Sequence, residues 1–237
     1  HGVITNVRPD HLEVMGPTLD DVAASLAGTV PRDAKLFTAE EAYAGYLEGV
    51  ASARGSTFRL CRAADVTEQE MAGFAYEEFA DNVALALAVC LDAGVERRAA
   101  LAAMYGVTPD VGALTRWPLD EAGKRVEFVN AFAANDPVSY VRIWERFGLR
   151  QDPSRVVLLM NNRGDRQRRS KDLAPLFGRE LPALRYAVIG TETAVFVDML
   201  LRQGLPRESI CDLSRLDAPA LWDELAGLTP DGGMVVG

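Results

Sequence analysis

Cysteine, long apolar runs and excess positive charge are all scarce in this sequence. Its 237 residues include three cysteines, Cys61, Cys90 and Cys211, and no CxxC pair. This spacing argues against a disulfide scaffold or a zinc site and favours a reducing compartment. No run approaches the ~18 apolar residues of a membrane span. The net charge of −9 provides no overall attraction to nucleic acid or to an anionic membrane surface.

The composition is that of an ordinary globular protein, 49% hydrophobic and 25% charged. This length and composition suffice for one large domain or for two modest ones with cores of their own. The first residues, His1 to Asn6, do not form a signal peptide and read as a strand already under way, as do Gly233 to Gly237. We therefore expect the sequence to be part of a longer protein.

The order of the predicted elements indicates an α/β fold. In the first half, Val3 to Val7 and Lys35 to Thr38 are typical of strands, Thr18 of a helix N-cap, and Phe79 to Ala93 of a buried helix. In the second half strands and helices alternate, which predicts a mostly parallel sheet covered on both faces. Its strands are predicted at Val126 to Asn130, Arg155 to Met160, Tyr186 to Gly190, Ser209 to Cys211 and Met234 to Val236. Its helices are predicted at Pro137 to Phe147, Asp172 to Leu176, Thr193 to Gly204 and Ala218 to Ala226.

A segment from Gly106 to Gly123 has the composition of a linker, with two prolines, three glycines and mixed charges. It predicts a boundary near residues 115–122, and hence domains at 1–117 and 118–237. Ligands of parallel sheets bind outside the carboxyl ends of the strands. The loops after Asn130, Met160 and Gly190 are therefore the candidate binding loops of the second domain.

A first motif begins in the first predicted strand with Ile4-Thr5-Asn6 and continues into the following loop with Asp10-His11. A neutral imidazole can ligate a divalent metal, and a nearby carboxylate can hold that metal or fix the imidazole tautomer. The residues alone leave a structural role open.

Asn6, Asp10 and His11, with the string from Met15 to Leu19, resemble a known signature. The match is to the ligase subunit of poly-γ-glutamate (capsule) synthases, a family of the Mur-ligase superfamily. The resemblance implies the remainder of a central ATP-binding domain, 1–117, followed by a Rossmann-like C-terminal domain, 118–237. It also implies ATP-dependent amide synthesis through an acyl phosphate, which the amine of glutamate then attacks. His11 becomes the candidate Mg²⁺ ligand and Asp10 its catalytic neighbour.

The same resemblance implies a set of nucleotide contacts. Asn82 precedes a helix rich in Ala and Leu, in the pattern of an asparagine that contacts adenine, although the position also suits an N-cap. Arg116 matches an arginine that reaches the phosphates, with Arg125 as a competing candidate. The loop from Phe128 to Pro137 resembles one that faces the nucleotide. In that loop Asn130 is the candidate catalytic residue, standing where many relatives have Asp, and Asn135 and Asp136 are candidate cofactor-binding residues.

A basic segment follows the strand that ends at Met160. Five Arg or Lys residues stand in the nine residues 163–171 of an otherwise acidic protein. Such a cluster can be a solvated surface, but arginine also binds carboxylates in bidentate fashion and suits a polyanion. The segment resembles an arginine loop of the capsule ligases, which implies contact with glutamate or the growing polymer. The candidate substrate-binding residues are Arg163, Asp165, Arg166, Arg168 and Arg169.

One expected motif is missing, because no Gly-rich loop ending in Gly-Lys-Ser/Thr is present to cradle phosphates. The resemblance therefore covers the later part of a ligase, and we expect this fragment alone to be inactive. Two alternatives stay open: another Mur-type ligase, acting on folylpolyglutamate or muramyl peptides, or a non-catalytic fragment that docks to partners. By resemblance the expected partners are glutamate, poly-γ-glutamate and the membrane subunits of a synthase complex, with homo-oligomers possible. The expected location is the cytoplasm, at the inner face of the membrane.

Overall fold

The computed structural model describes residues 1–9, 11–121, 123–134 and 136–237. The chain divides into two compact units, His1–Pro109 (unit 1) and Asp110–Gly237 (unit 2). The fold class is α/β, as the sequence predicts. Within the described residues, none of the helices combines the length and apolar character needed to cross a membrane.

The division between the units precedes the boundary that the sequence predicts. Residues 115–121, assigned to a linker from composition, form strand β4 (Thr115–Glu121), which pairs antiparallel with β5 (Lys124–Asn130). Pro118 made the segment look irregular, because proline cannot donate to a sheet ladder. Proline is nevertheless tolerated on an edge strand, and β4 lies at the edge of its sheet.

Unit 1 contains a three-stranded parallel sheet in the order β1-β2-β3. The first strand is shorter than predicted, and Val7 lies beyond it in the following loop. The strands are β1 (Gly2–Ile4), β2 (Lys35–Thr38) and β3 (Thr57–Leu60), and the helices are α1 (Leu12–Met15), α2 (Leu19–Ala27), α3 (Ala44–Ala53), α4 (Glu68–Met71), α5 (Ala80–Asp92) and α6 (Arg97–Tyr105).

Alternation along β2 supplies both faces of this sheet with core residues, since successive side chains of a strand point to opposite faces. Leu36 packs with residues of α2 and α3, including Ala27 and Leu47. Phe37 packs with α5 and α6, through residues such as Leu87. The predicted cap of α2 is confirmed, because the Thr18 hydroxyl accepts from the Asp21 amide and the Asp21 carboxylate accepts from the Thr18 amide.

Unit 2 contains a six-stranded sheet in the order β4-β5-β9-β6-β7-β8, parallel except for β4. The predicted strands and helices of the second half are confirmed with small shifts at their ends, except the helix predicted at Asp172 to Leu176. That helix begins five residues earlier, at Gln167, and ends at Leu173, and residues 174–176 form a 3-10 turn instead. Besides β4 and β5, the strands are β6 (Val156–Asn162), β7 (Arg185–Gly190), β8 (Ile210–Asp212) and β9 (Met234–Val236), and the helices are α7 (Pro137–Arg146), α8 (Gln167–Leu173), α9 (Thr193–Arg202) and α10 (Ala218–Leu228).

The crossovers of unit 2 determine which face each helix covers. From β5 to β8 the chain moves in one direction across the sheet, so right-handed crossovers place α7, α8 and α9 on one face. The return from β8 to β9 places α10 on the other. Packing agrees, because Val157 and Leu159 cluster with Leu225 of α10, whereas Met160 contacts Tyr140 of α7. The carboxyl ends of the parallel strands meet at one edge, where their loops form the candidate site.

Candidate functional site

The loop after β1 is anchored by a buried carboxylate. Glu40, which follows β2, accepts the Val7 amide on one oxygen at 2.7 Å. Its other oxygen accepts the amides of Ala42 at 2.8 Å and Tyr43 at 3.2 Å. The carboxyl ends of β1 and β2 are thereby joined through one side chain. Sequence reasoning missed Glu40, although an acidic residue just after a buried strand was an available signal.

His11 lies at the end of this loop and is exposed, with a left-handed backbone at φ 48°, as the N-cap of α1. Asp10 lies outside the described residues. Among the described residues there is no group of three or more His, Cys, Asp or Glu side chains that could hold a metal. The described residues therefore offer one candidate ligand, His11, to Mg²⁺. This hard cation takes mainly oxygen ligands and keeps several waters.

Asn82 is exposed in the first turn of α5 and does not cap that helix. The N-cap is Phe79, which makes no side-chain cap, and the Asn82 amide nitrogen donates to Glu78 at 3.0 Å. The alternative of an N-cap role is therefore wrong. The side-chain oxygen of Asn82 has no hydrogen bond within the described part of the chain, so the contact with adenine stays a prediction.

In unit 2, the loop after β5 is fixed at both ends. The amide nitrogen of Asn130 donates to the carbonyl of Val111 at 2.9 Å. Asp136 is buried as the N-cap of α7, where one carboxylate oxygen accepts the Ser139 amide at 3.0 Å and the other its hydroxyl. Asp136 thus caps a helix with both oxygens. Asn135 lies outside the described residues.

The two arginines considered for phosphate contact differ in their surroundings. Arg116 of β4 forms a bidentate pair with Glu127 of β5, at 2.8 and 2.7 Å, and lies over the ring of Phe147. Its charge is already partnered within unit 2. Arg125 contributes its backbone amide to Asp231 at 2.9 Å, which is the main cause that lowers the pKa of that carboxyl.

The arginine segment, residues 163–169, follows β6 at the same edge of the sheet. Arg163 and Asp165 pair with each other at 3.0 and 2.7 Å while both stay more than half exposed. The hydrogen bond from Arg163 lowers the pKa of Asp165. Arg168 approaches Asp172 at 3.8 Å, and Arg166 is exposed without a side-chain hydrogen bond to any described residue. Arg166 and Arg168 are therefore the most available cations of the segment.

Arg169 faces inward, unlike the other arginines of the segment. Its guanidinium donates to the carbonyl of Ala134 at 3.0 Å and to the hydroxyl of Tyr140 at 3.2 Å. Its Nε is buried and has no hydrogen bond to any residue that the structure describes. Burial raises the pKa of Tyr140, and the charge of Arg169 partly offsets that rise. Arg169 therefore joins α8 to the loop after β5, which brings the arginine segment next to Asp136.

The turn after β7 adjoins the arginine segment. Asn162, at the end of β6, is buried and bonds to the carbonyl of Thr191 and to the hydroxyl of Ser170. Gly190, at φ 100°, lies so close that an added Cβ would fall 2.1 Å from the carbonyl oxygen of Asn162. Thr191 does not cap α9, because the N-cap is Glu192 and the Thr191 hydroxyl accepts the Gly164 amide.

Residues 117–237 match the model of the poly-gamma-glutamate synthase CapB C-terminal domain. The chain belongs to this family. It is 35% identical over 215 residues to the capsule biosynthesis protein CapB of Bacillus anthracis, covering 90% of this chain and 46% of that protein. It is 32% identical over 215 residues to the PGA synthase CapB of Bacillus subtilis, covering 90% and 54%. The chain thus spans about half the length of the curated relatives it matches.

The fold is also found in solved structures that align with nearly the whole chain. A bifunctional folylpolyglutamate synthase/dihydrofolate synthase from Yersinia pestis, complexed with AMPPNP and Mn ion, superposes with a TM-score of 0.67 over 99% of this chain and 57% of that one. The sequences are 14% identical, so the likeness shows the fold alone. The resemblance to the capsule-ligase family is confirmed.

Proposed function

We propose that this chain forms the later part of an ATP-dependent ligase that extends poly-γ-glutamate by γ-glutamyl amide bonds. The observation that carries the proposal is the similarity to two CapB proteins over 90% of the chain. The arginine segment at the carboxyl end of β6 supports it, because this exposed cluster of cations in an acidic protein suits a polymer of carboxylates.

Within unit 2, each arginine of the segment has a different proposed part. Arg166 and Arg168 meet carboxylates of glutamate or of the polymer, because they are exposed and weakly engaged. Asp165 orients Arg163, whose two N–H groups it accepts. Arg169 faces inward and fixes the loop after β5. We propose that Asn130, Asn135 and Asp136 contact the nucleotide from that loop.

Within unit 1, His11 would supply one ligand to Mg²⁺, and the remaining ligands would be phosphate oxygens, water or further carboxylates. Asn82 would contact adenine through its carboxamide oxygen. When bound, ATP supplies the phosphoryl group that activates the carboxyl for amide formation. The residues of this chain orient the reactants and screen negative charge, which are the main sources of rate in phosphoryl transfer.

The activity test uses the polypeptide that contains this chain together with an ATP-binding loop of the Gly-Lys-Ser/Thr type. We expect labelled glutamate to enter poly-γ-glutamate only with both ATP and Mg²⁺, and H11A to abolish incorporation. Competition with folates and with muramyl peptides decides between this ligase and other Mur-type ligases. Incorporation that is unaffected by H11A, or that is inhibited better by a folate than by polyglutamate, would contradict the proposal.

A binding test needs only the chain described above. Charge reversal in the double variant R166E/R168E is expected to weaken binding of poly-γ-glutamate at least tenfold, and added salt should reduce the wild-type affinity. R202E is the matched control for the single variant R168E, because Arg202 and Arg168 are both exposed on a helix and each is paired with an aspartate four residues away. Equal loss in both variants would indicate a general charge effect and no specific site.

A further inference from the structure

Asn162 occupies the point where β6, α8 and the turn after β7 meet. Its side chain is buried, with 3% of the residue exposed. The amide nitrogen donates to the carbonyls of Thr191 at 2.7 Å and Glu192 at 3.4 Å, and the oxygen accepts the Ser170 hydroxyl at 2.6 Å. Both polar atoms are engaged inside the protein, so this side chain does not reach a ligand.

Two further hydrogen bonds run beside those of Asn162. The amide of Gly164 donates to the Thr191 hydroxyl at 2.9 Å, and the Gln167 side chain donates to the Glu192 carboxylate at 3.2 Å. The backbone of Gly164 also lies close to the side chain of Glu192, since a Cβ on Gly164 would lie 2.7 Å from that side chain. The arginine segment and the turn at residues 190–192 are therefore held together as one piece.

The position of Asn162 in the sequence gives these bonds a consequence for the segment. Residues 163–169 lie between Asn162 and Ser170, and these two side chains bond to each other. The hydrogen bond between Asn162 and Ser170 thus closes the base of the segment. Two more, from Gly164 to Thr191 and from Gln167 to Glu192, tie the segment to the turn after β7. Buried polar groups with every partner in place hold a local structure in one arrangement.

We infer that Asn162 is a positioning residue for substrate recognition: it holds the arginine segment in the arrangement in which Arg166 and Arg168 meet the carboxylates of an anionic polymer. The inference deepens the proposed function and rests on it. Polymer affinity then depends on a neutral, buried side chain that does not contact the polymer, as well as on the arginines that do.

The variant that tests the inference is N162D. At pH values where the new carboxyl is ionised, it offers only acceptor oxygens to the carbonyls of Thr191 and Glu192. Both bonds are then lost, whereas the bond from Ser170 can remain. N161D is the matched control, because Asn161 is the preceding residue, carries the same side chain and is exposed. Both variants add one negative charge near the arginine segment, so charge alone cannot separate them.

Two measurements are made on the full chain. Titration with poly-γ-glutamate is expected to show affinity at least tenfold weaker for N162D and changed less than about threefold for N161D, the loss expected when a buried group is left unpaired. Amide hydrogen exchange without ligand is expected to rise in residues 163–170 and 190–193 in N162D alone. A second variant, S170A, removes one bond without adding charge and is expected to change both measurements in the same direction.

The outcomes separate this inference from the proposed function. If the wild-type chain does not bind poly-γ-glutamate but exchange rises in both segments of N162D, the positioning role stands and the proposed polymer site is wrong. If the wild type binds and N162D binds equally well, the inference is overturned. If N162D unfolds, S170A decides, and wild-type affinity together with wild-type exchange in S170A would overturn the inference.

Discussion

At the scale of single residues, Arg169 differs from its neighbours because its guanidinium faces inward. The hydroxyl of Tyr140 is buried and has the Met160 sulfur as its other contact, at 3.9 Å. A buried polar group that loses its partner costs about 1–3 kcal/mol. The position of Arg169 therefore contributes to stability as well as to the arrangement of the loops.

We expect R169M to lower the free energy of unfolding by about 1–3 kcal/mol, because Tyr140 and the carbonyl of Ala134 both lose a donor. Urea unfolding of the chain measures this change. R168M is the control, since Arg168 is half exposed and its substitution should stay within about 0.5 kcal/mol. Equal stability of the two variants would show that the inward contacts of Arg169 contribute little.

Glu70 provides a prediction on pH dependence in unit 1. The hydrogen bond from Arg97 lowers the pKa of this carboxyl to about 2, with the Thr67 amide as the next cause. A lowered pKa stabilises the folded state above the unfolded-state pKa of about 4.3, and the contribution disappears as the pH falls towards 2.

The variant E70Q lacks this titration. We expect its melting temperature to lie below that of the wild type at pH 6, and the difference to shrink steadily between pH 4.5 and pH 2. Thermal unfolding followed by circular dichroism measures both curves. E68Q, which changes an exposed residue of the same short helix, should run parallel to the wild type. A difference between E70Q and wild type that stays constant with pH would contradict the proposed cause.

At the scale of elements, Glu40 joins the ends of two parallel strands. E40Q replaces a charged acceptor of three backbone amides, so at least one of these amides loses a strong partner. We expect amide exchange at Val7 to accelerate at least tenfold. Exchange in the core of α5 should change much less, because the effect is local to the loop that leads to His11.

The control for this experiment is E41Q. Glu41 is the next residue, with a side chain 66% exposed and a distant pair with Arg62 at 3.7 Å. Its exchange pattern should match that of the wild type. If E40Q also leaves Val7 unchanged, the amide of Val7 is protected by the surrounding packing and not by the carboxylate.

The elements that the sequence predicted are those with a strong local signal. The Thr18 cap, the apolar helix α5 and the alternating strands of unit 2 depend on nearest neighbours and periodicity. Strand β4 was missed, because the internal Pro118 and the glycines at 112 and 123 gave the segment the composition of a linker. The segment forms a strand because it pairs with β5, and this pairing depends on the partner strand as well as on the segment's own sequence.

In the candidate site, too, some features follow from the local sequence and others depend on distant contacts. Residue types and loop positions indicated the arginine segment, but its sequence could not show that Arg169 turns inward while Arg166 stays exposed. That difference depends on the Tyr140 hydroxyl and the Ala134 carbonyl, more than twenty residues away in the chain. Asn162 and Glu40 were missed for a related reason, since the Thr191 and Glu192 carbonyls and the Val7 amide are distant in the chain and only folding brings them near.

At the scale of the whole molecule, the division at Pro109 is open to a direct test. We expect a fragment of residues 110–237 to fold cooperatively and a fragment of residues 118–237 to be less stable. The shorter fragment lacks residues 110–117, which include the first residues of β4. It therefore loses the pair of Arg116 with Glu127 and the contact of Asn130 with Val111. Denaturant unfolding of the two fragments provides the comparison, and equal stability would favour the boundary predicted from composition.

The order of strands in unit 2 also has a consequence during synthesis. The strand β9 lies between β5 and β6, yet it is the last of the six to be made. Until residues 234–236 leave the ribosome, the β4–β5 hairpin and the β6–β7–β8 group have no strand to join them. Each then exposes an unpaired apolar edge, at Val129 and at Leu158. A nascent chain that stalls before Met234 therefore keeps both edges unpaired, because the central strand of its sheet has not been synthesised, and unpaired strand edges promote aggregation.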